Sequence, residues 1–217
     1  MTMQWRRTRI KICGIRDEAT ALAAVEAGAD ALGFVFVHKS PRFIEPRDAW
    51  RLFASLPPFV HTVGLFKDAS LDDYIAAEEI CPTDYGQLHG HENEELVRAC
   101  GPRIIKAVRF DPATIERQLA RWAAIEEVDA ILVDGSEGGE GTAFDWEALA
   151  KAKQAAANKP LILAGGLTPQ NVGEAIRAVR PFAVDVSSGV ESAPGVKDPA
   201  LIRAFCEAVR ADDSAAR

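Results

Sequence analysis

Leu161-Ile162-Leu163-Ala164 runs into Gly165-Gly166-Leu167-Thr168-Pro169, then into Val172, Ala175, Ile176 and Val179, and then into Ala183-Val184-Asp185-Val186-Ser187-Ser188-Gly189. The first four residues are a continuous apolar run, as expected of a strand covered on both faces of a parallel sheet. Thr168 before Pro169 offers a capping hydroxyl followed by a first-turn proline. The four apolar residues that follow recur at i, i+3, i+4 and i+7, the stripe of an amphipathic helix. Another short apolar run then begins. Strand, glycine turn, helix and strand in that order read as a βαβ unit.

The same unit repeats along almost the whole chain. Strands are expected at Arg9 to Cys13, Ala31 to Val37, Val60 to Phe66, Tyr85 to His89, Ile104 to Arg109, Ala130 to Asp134, Leu161 to Ala164 and Ala183 to Ser187. Helical stripes lie between them, at Ala49, Leu52, Phe53 and Leu56 and at Ile115, Leu119, Trp122 and Ala123. Gly28 suits a helix C-terminus and Pro46 a helix start. Residues 1–8 read as an N-terminal extension, 9–210 as one α/β domain, and 211–217 as a frayed tail. Eight units in 217 residues suggest a closed barrel. An open doubly wound sheet uses the same unit, and periodicity does not separate the two. In both architectures chemistry is expected just beyond the C-terminal ends of the strands.

Composition narrows the function classes. With 48% hydrophobic and 26% charged residues, the chain can bury a core without covalent staples. The net charge of −7 comes with no broad basic face, which argues against a nucleic-acid partner. A local pocket can still oppose that sign and take a small anion. Cys13, Cys81, Cys100 and Cys206 are widely spaced, so neither a zinc site nor a disulfide framework is expected. The segment from Met1 to Arg9 carries Arg6, Arg7 and Arg9 without the apolar stretch of a secretion signal. No apolar run reaches membrane-spanning length. A cytoplasmic, reducing location is expected.

The strand ends carry the candidate chemistry. Cys13 closes the first strand, and Lys11, two residues earlier, points to the same side. An ammonium there favours a thiolate, and Asp185 on the eighth strand is a candidate partner for Lys11. Asp134 ends the sixth strand as either a helix cap or a proton donor, and partial burial favours the protonated form of such a carboxyl. Gly138-Gly139-Glu140-Gly141-Thr142 follows it as a Gly-rich turn. Gly165-Gly166 and Ser187-Ser188-Gly189 together offer clustered N–H donors and hydroxyls, and barrels frequently bind phosphate with these two loops. Arg42, in Ser40-Pro41-Arg42, can fork onto a carboxylate. His89 is a candidate substrate contact, and His91 reads as surface. Glu92, Glu94 and Glu95 read as a solvated helix start.

These motifs occur in a familiar order. Lys11-Ile12-Cys13-Gly14, Gly33-Phe34-Val35-Phe36, Ser40-Pro41-Arg42, Val63-Gly64-Leu65-Phe66 and Gln87-Leu88-His89-Gly90 are followed by Leu132-Val133-Asp134, Phe144-Asp145-Trp146, Gly165-Gly166-Leu167-Thr168-Pro169, Asp185-Val186-Ser187-Ser188-Gly189-Val190-Glu191 and Pro194-Gly195-Val196-Lys197-Asp198. Over residues 9–210 the set resembles the phosphoribosylanthranilate isomerase family of tryptophan biosynthesis. The resemblance implies a single-domain (β/α)8 TIM barrel of the ribulose-phosphate-binding type. It implies an Amadori rearrangement of N-(5-phosphoribosyl)anthranilate to 1-(2-carboxyphenylamino)-1-deoxyribulose 5-phosphate. By motif match Cys13 is the general base and Asp134 the general acid. Arg42 holds the anthranilate carboxylate, Asp185 contacts substrate, and Gly165, Gly166, Ser187 and Ser188 grip the phosphate, while His89 stays a candidate substrate contact or a satisfied core or loop histidine. Neither metal nor cofactor is expected. The partner is a phosphorylated small molecule, not nucleic acid or membrane, and the chain is expected to be a monomer or homodimer. The alternatives are a histidine-pathway or dual-specificity aminoaldose isomerase and a catalytically silent phosphate-binding barrel. Glu140 is a departure from the family pattern that bears on the loop after the sixth strand.

Overall fold

The alternation becomes eight successive strand–helix units. The computed structural model describes residues 7–135 and 145–215. Its strands are β1 (Arg9–Cys13), β2 (Ala31–Val35), β3 (His61–Phe66), β4 (Tyr85–Leu88), β5 (Ile104–Arg109), β6 (Val128–Asp134), β7 (Leu161–Ala164) and β8 (Ala183–Val186). The helices are α1 (Glu18–Glu26), α2 (Pro46–Phe53), α3 (Leu71–Ile80), α4 (Glu94–Ala99), α5 (Ile115–Ala123), α6 (Trp146–Ala152), α7 (Val172–Val179) and α8 (Pro199–Ala215). Each strand pairs with the next in parallel, and β8 returns to β1 with Lys11 opposite Asp185. That closure decides for the TIM barrel over the open sheet.

Side chains alternate across the barrel wall, as the two-residue period of a strand requires. Val63, Ile105, Ala107, Ala130, Leu132, Ile162, Ala164 and Ala183 pack inside the barrel. Their neighbours Ile131, Val133, Leu163 and Val184 join Ile12, Leu32 and Phe34 in the larger core beneath the helices. Full burial of each large apolar side chain contributes roughly 1.5–3 kcal/mol, so both layers, not the helix propensities, hold the ring together. The chain after α1 turns as expected, with Gly28 N–H donating to Val25 O.

Boundaries differ from expectation at several points. β2, β4 and β8 leave the ladder before Val37, His89 and Ser187, and β6 starts earlier, at Val128. Thr168 does not cap α7. Asn171 Oδ1 accepts from Thr168 N–H and its amide donates to Gly166 O, so residues 168–171 form a braced turn and the helix starts at Val172. The chain is not frayed after Arg210. α8 continues through Ala215, tied to the start of the barrel by Asp213, which accepts from both Thr8 N–H and Thr8 Oγ1. Glu92 is not solvated. It is buried, paired with Lys106 Nζ at 2.9 Å, and accepts from Asp68 and Gly90 N–H. An unanticipated antiparallel hairpin, β9 (Glu191–Ala193) with β10 (Val196–Lys197), follows β8. Arg6, the stretch from Gly138 to Thr142 with Glu140, and Phe144 lie outside the described residues.

Candidate active site

β1 delivers Lys11 and Cys13 to the inside of the barrel, and both are buried. Room for them comes from β2. A Cβ at Gly33 would lie 2.8 Å from Cys13 Sγ and 2.9 Å from Lys11 Nζ. The Lys11 ammonium sits 3.0 Å from Asp185 Oδ1, both almost fully buried, so the ion pair anticipated across the β1–β8 seam is present. The effect on the thiol differs from expectation. Burial pushes Cys13 up from its ordinary value, and the lowering influence of Lys11 and Lys197 does not offset it. In the ligand-free site the thiol therefore holds its proton more tightly than a free cysteine does, and a cation delivered beside it is what would release that proton.

Asp134 ends β6 at the cavity floor. His89 Nε2 lies 3.3 Å from Asp134 Oδ2. Behind His89, Gln87 Nε2 lies 2.9 Å from His89 Nδ1. An amide nitrogen only donates, so Nδ1 accepts and the ring proton of neutral His89 sits on Nε2, facing the carboxylate. Gln87 is wholly buried, and its Oε1 has no hydrogen-bond partner among the described residues. On the other side, Gly165 presses against the acid. A Cβ there would lie 2.6 Å from Asp134 Oδ1 and 2.3 Å from the Gly135 nitrogen.

The late turns close the opposite rim. Gly165 and Gly166 both have positive φ, and the amide of Asn171 holds their turn through Gly166 O at 2.8 Å. The β8 turn packs directly against it, since a Cβ at Gly189 would overlap Leu167 O. Ser187 Oγ donates to Cys13 O at 3.1 Å and accepts from Lys197 Nζ at 3.3 Å. The hydroxyl proton of Ser187 is thus committed to β1. The buried Lys197 ammonium behind Ser187 adds the positive charge at this turn.

Arg42 reaches the same space from the β2 loop, with its stem across Gly14, where a Cβ would lie 2.8 Å from Arg42 Cδ. Its guanidinium forks onto Glu191, Nε to Oε1 at 2.8 Å and Nη2 to Oε2 at 2.9 Å. That pairing leaves Nη1 and the second Nη2 proton for a ligand.

One cavity of about 1000 Å³ joins these elements. Cys13, Arg42, His89, Asp134, Gly165, Gly166, Asp185, Ser187 and Ser188 all line it, so these nine candidate site residues open on the same space. Phe36, Leu65 and Leu167 give it an apolar flank. Three contributors had no assigned role in the sequence reading: Gln87, Glu191 and Lys197. Each lies in a quoted motif; the two-residue period to His89 carries a signal for Gln87, whereas Glu191 and Lys197 sit in a hairpin too short to read from pattern. Among the described residues no group of three or more His, Cys, Asp or Glu side chains could hold a metal ion. No helix among them is long and apolar enough to cross a membrane.

Comparison with known proteins agrees with this arrangement. The sequence profile of the family described as N-(5'phosphoribosyl)anthranilate (PRA) isomerase matches residues 10–208. The N-(5'-phosphoribosyl)anthranilate isomerase of Geotalea uraniireducens is 50% identical over 202 residues, covering 91% of this chain and 96% of that protein. A solved phosphoribosyl anthranilate isomerase in complex with reduced 1-(o-carboxyphenylamino)-1-deoxyribulose 5-phosphate superposes with a TM-score of 0.82 at 41% identity, covering 94% and 99% of the two chains. A monomeric form of the dimeric Thermotoga maritima isomerase also gives 0.82, at 40% identity and the same coverage. With the profile spanning nearly the whole barrel and half the residues shared with a curated relative, the chain belongs to the N-(5'-phosphoribosyl)anthranilate isomerase family.

Proposed function

We propose that this barrel converts N-(5-phosphoribosyl)anthranilate to 1-(2-carboxyphenylamino)-1-deoxyribulose 5-phosphate, with Asp134 as general acid and Cys13 as general base. The observation that carries the reading is the shared cavity, which sets a thiol and a carboxyl around one space with two glycine- and serine-bearing turns at its rim. Asp134 protonates the furanose oxygen, the C1–O bond breaks, and the nitrogen lone pair closes a C1=N iminium. That cation favours the thiolate of Cys13, whose own proton passes to solvent and is regained at the end of the cycle; the thiolate takes the C2 proton while the C2–H electrons form the C1=C2 bond. Cys13 then returns this proton to C1 as C2 becomes a ketone. The proton lost by the C2 hydroxyl replaces the one Asp134 gave, so no net proton is consumed. His89, with Nε2 3.3 Å from Asp134 Oδ2, stabilises the carboxylate that forms.

The remaining assignments follow the same geometry. Gly165, Gly166, Ser187 and Ser188 hold the phosphate, and this non-reacting end fixes C2 against the base. Arg42 takes the anthranilate carboxylate, and the apolar flank takes its ring. Asp185, beside Lys11, faces the sugar. The only partner required is the phosphorylated substrate, with no nucleic acid or membrane, in a monomer or homodimer. All four cysteines are free, in keeping with a reducing cytoplasmic location.

The test is loss of phosphoribosylanthranilate fluorescence with the wild type, Cys13→Ala and Asp134→Asn. Each variant should lose roughly 10²–10⁴ in kcat while binding the reduced product analogue within a few-fold of wild type. Near-normal turnover by either would remove that residue from its role. Turnover of the histidine-pathway aminoaldose would replace this reading with a dual-specificity one.

A further inference from the structure

We propose that Glu191 is a positioning residue that fixes the distance between the carboxylate and phosphate ends of the bound substrate. It rests on the reading of Arg42 as the carboxylate contact and of the β8 turn as part of the phosphate grip. Glu191 opens the β9–β10 hairpin immediately beyond that turn. Its carboxylate takes both Arg42 bonds, and Oε1 also accepts from Lys197 Nζ at 2.8 Å. Lys197 Nζ in turn donates to Ser187 O at 2.9 Å, and Ser187 Oγ to Cys13 O at 3.1 Å. One carboxylate therefore links the β2 loop, the hairpin, the β8 turn and the end of β1.

The link is built for rigidity. The Glu191 and Lys197 side chains are 4% and 1% exposed, while Arg42, at 14%, keeps an edge on the cavity. A two-bond fork fixes the plane of a guanidinium in a way a single contact does not. Burial pushes Glu191 up, but hydrogen bonds from Arg42 and Lys197, with their charges, outweigh it and hold the carboxylate at about 2. Gly195 N–H adds a bond to Oε2 at 3.2 Å, and a Cβ at Gly195 would overlap Pro41 O, so the hairpin and the Arg42 loop are pressed together. A hairpin that needed only anchoring would be served as well by apolar packing, since buried ion pairs seldom improve stability over it. What apolar packing cannot do is aim a cation while leaving its other N–H groups to a ligand.

The consequence is specific to ligands that span both ends. Binding of reduced 1-(o-carboxyphenylamino)-1-deoxyribulose 5-phosphate and of ribulose 5-phosphate is compared in the wild type, Glu191→Gln, Glu191→Gln/Lys197→Met and Arg42→Ala. The double variant removes both buried charges, so Lys197 is not stranded if Glu191→Gln folds poorly. The expected result is an affinity loss on the order of tenfold for the carboxyphenyl ligand in Glu191→Gln and Arg42→Ala, with ribulose 5-phosphate changed less than about threefold; the double variant, which also takes the Lys197 charge from the β8 turn, weakens both ligands, the carboxyphenyl one about tenfold more. KM should rise more than kcat falls. If Arg42→Ala selectively weakens the carboxyphenyl ligand but neither Glu191 variant does, the positioning role is wrong and the Arg42 assignment stands. If Arg42→Ala weakens both ligands alike, the carboxylate assignment itself is wrong.

Discussion

Replacing Gly165 by alanine adds one methyl group at the tightest point of the acid's surroundings, and its effect can be worked from the backbone. Gly165 has φ +85, a region that costs an L-residue with a side chain about 1–2 kcal/mol. The new Cβ would sit 2.3 Å from the Gly135 nitrogen and 2.6 Å from Asp134 Oδ1. The first neighbour is backbone and cannot rotate away, so overpacking of about 1–3 kcal/mol is added. The total is about 2–5 kcal/mol. In a domain of this size each kcal/mol lowers Tm by roughly 2–4 °C. Displacing the Asp134 carboxyl by even part of an ångström also costs turnover, on the order of 10²-fold per ångström. Gly101 is the control. It has φ +84 with nothing within 4 Å of its Cβ position, so Gly101→Ala carries the backbone cost alone and leaves kcat unchanged. Urea unfolding and the fluorescence assay on both variants separate the two contributions. If Gly165→Ala were no more destabilising than Gly101→Ala and turned over normally, the packing of the β7 turn against the acid would be wrong.

Two further outcomes follow from buried polar groups. Gln87→Met keeps the volume but removes the donor that fixes the His89 tautomer; kcat should fall about tenfold with KM little changed, and the nitrogen-15 signals of His89 should lose the pattern of a single Nε2–H tautomer. An unaltered tautomer with unaltered kcat would dismiss Gln87 from the site. The second concerns acid. Glu191 is held at about 2 against an ordinary 4.5, so its stabilisation is complete above about pH 4.5 and disappears as pH falls through about 2. The stability gap between wild type and Glu191→Gln in urea should therefore be constant near neutrality and narrow steadily below pH 4.5; a gap independent of pH would refute the assignment of that carboxylate.

Much of the fold was legible because a strand covered on both sides leaves a plain mark. Ile131-Leu132-Val133 and Leu161-Ile162-Leu163 could only be buried, and the glycines and prolines between runs fixed where they stopped. Closure was not legible, since the β1–β8 ladder joins residues such as Lys11 and Asp185 that are remote in sequence. Thr168 misled for a local reason: its Oγ1 accepts from Gln170 N–H, but Asn171, three residues on, bonds both Thr168 N–H and Gly166 O, and the braced turn so formed delays the helix to Val172. Glu92 misled because its acidic neighbours suggested solvent, whereas its cation lies on the next strand, facing outward toward Trp122. At the site, strand ends announced Cys13 and Asp134. Gln87 was hidden by the short, weakly apolar β4, although the two-residue period to His89 carried the signal. Glu191 and Lys197 were hidden by a hairpin too short to read from pattern.

The charges around Cys13 explain how an acidic protein can hold an anionic substrate with a thiol still protonated. Among the described residues Lys11, Lys197 and Arg42 are met by two carboxylates, Asp185 and Glu191, so these five groups together carry one positive charge in a chain at −7. That excess attracts phosphate and carboxylate, but Lys11, Lys197 and Arg42, the cations coupled to the thiol, are already paired with carboxylates, and burial prevails over them. On the proposed mechanism the thiol would keep its proton until the substrate supplied a further cation, the iminium at C1. Ring opening would then precede proton abstraction on that proposal, since a thiolate formed earlier would meet the substrate's anions as a like charge. On the same proposal Asp134, with His89 Nε2 3.3 Å from its Oδ2, acts first.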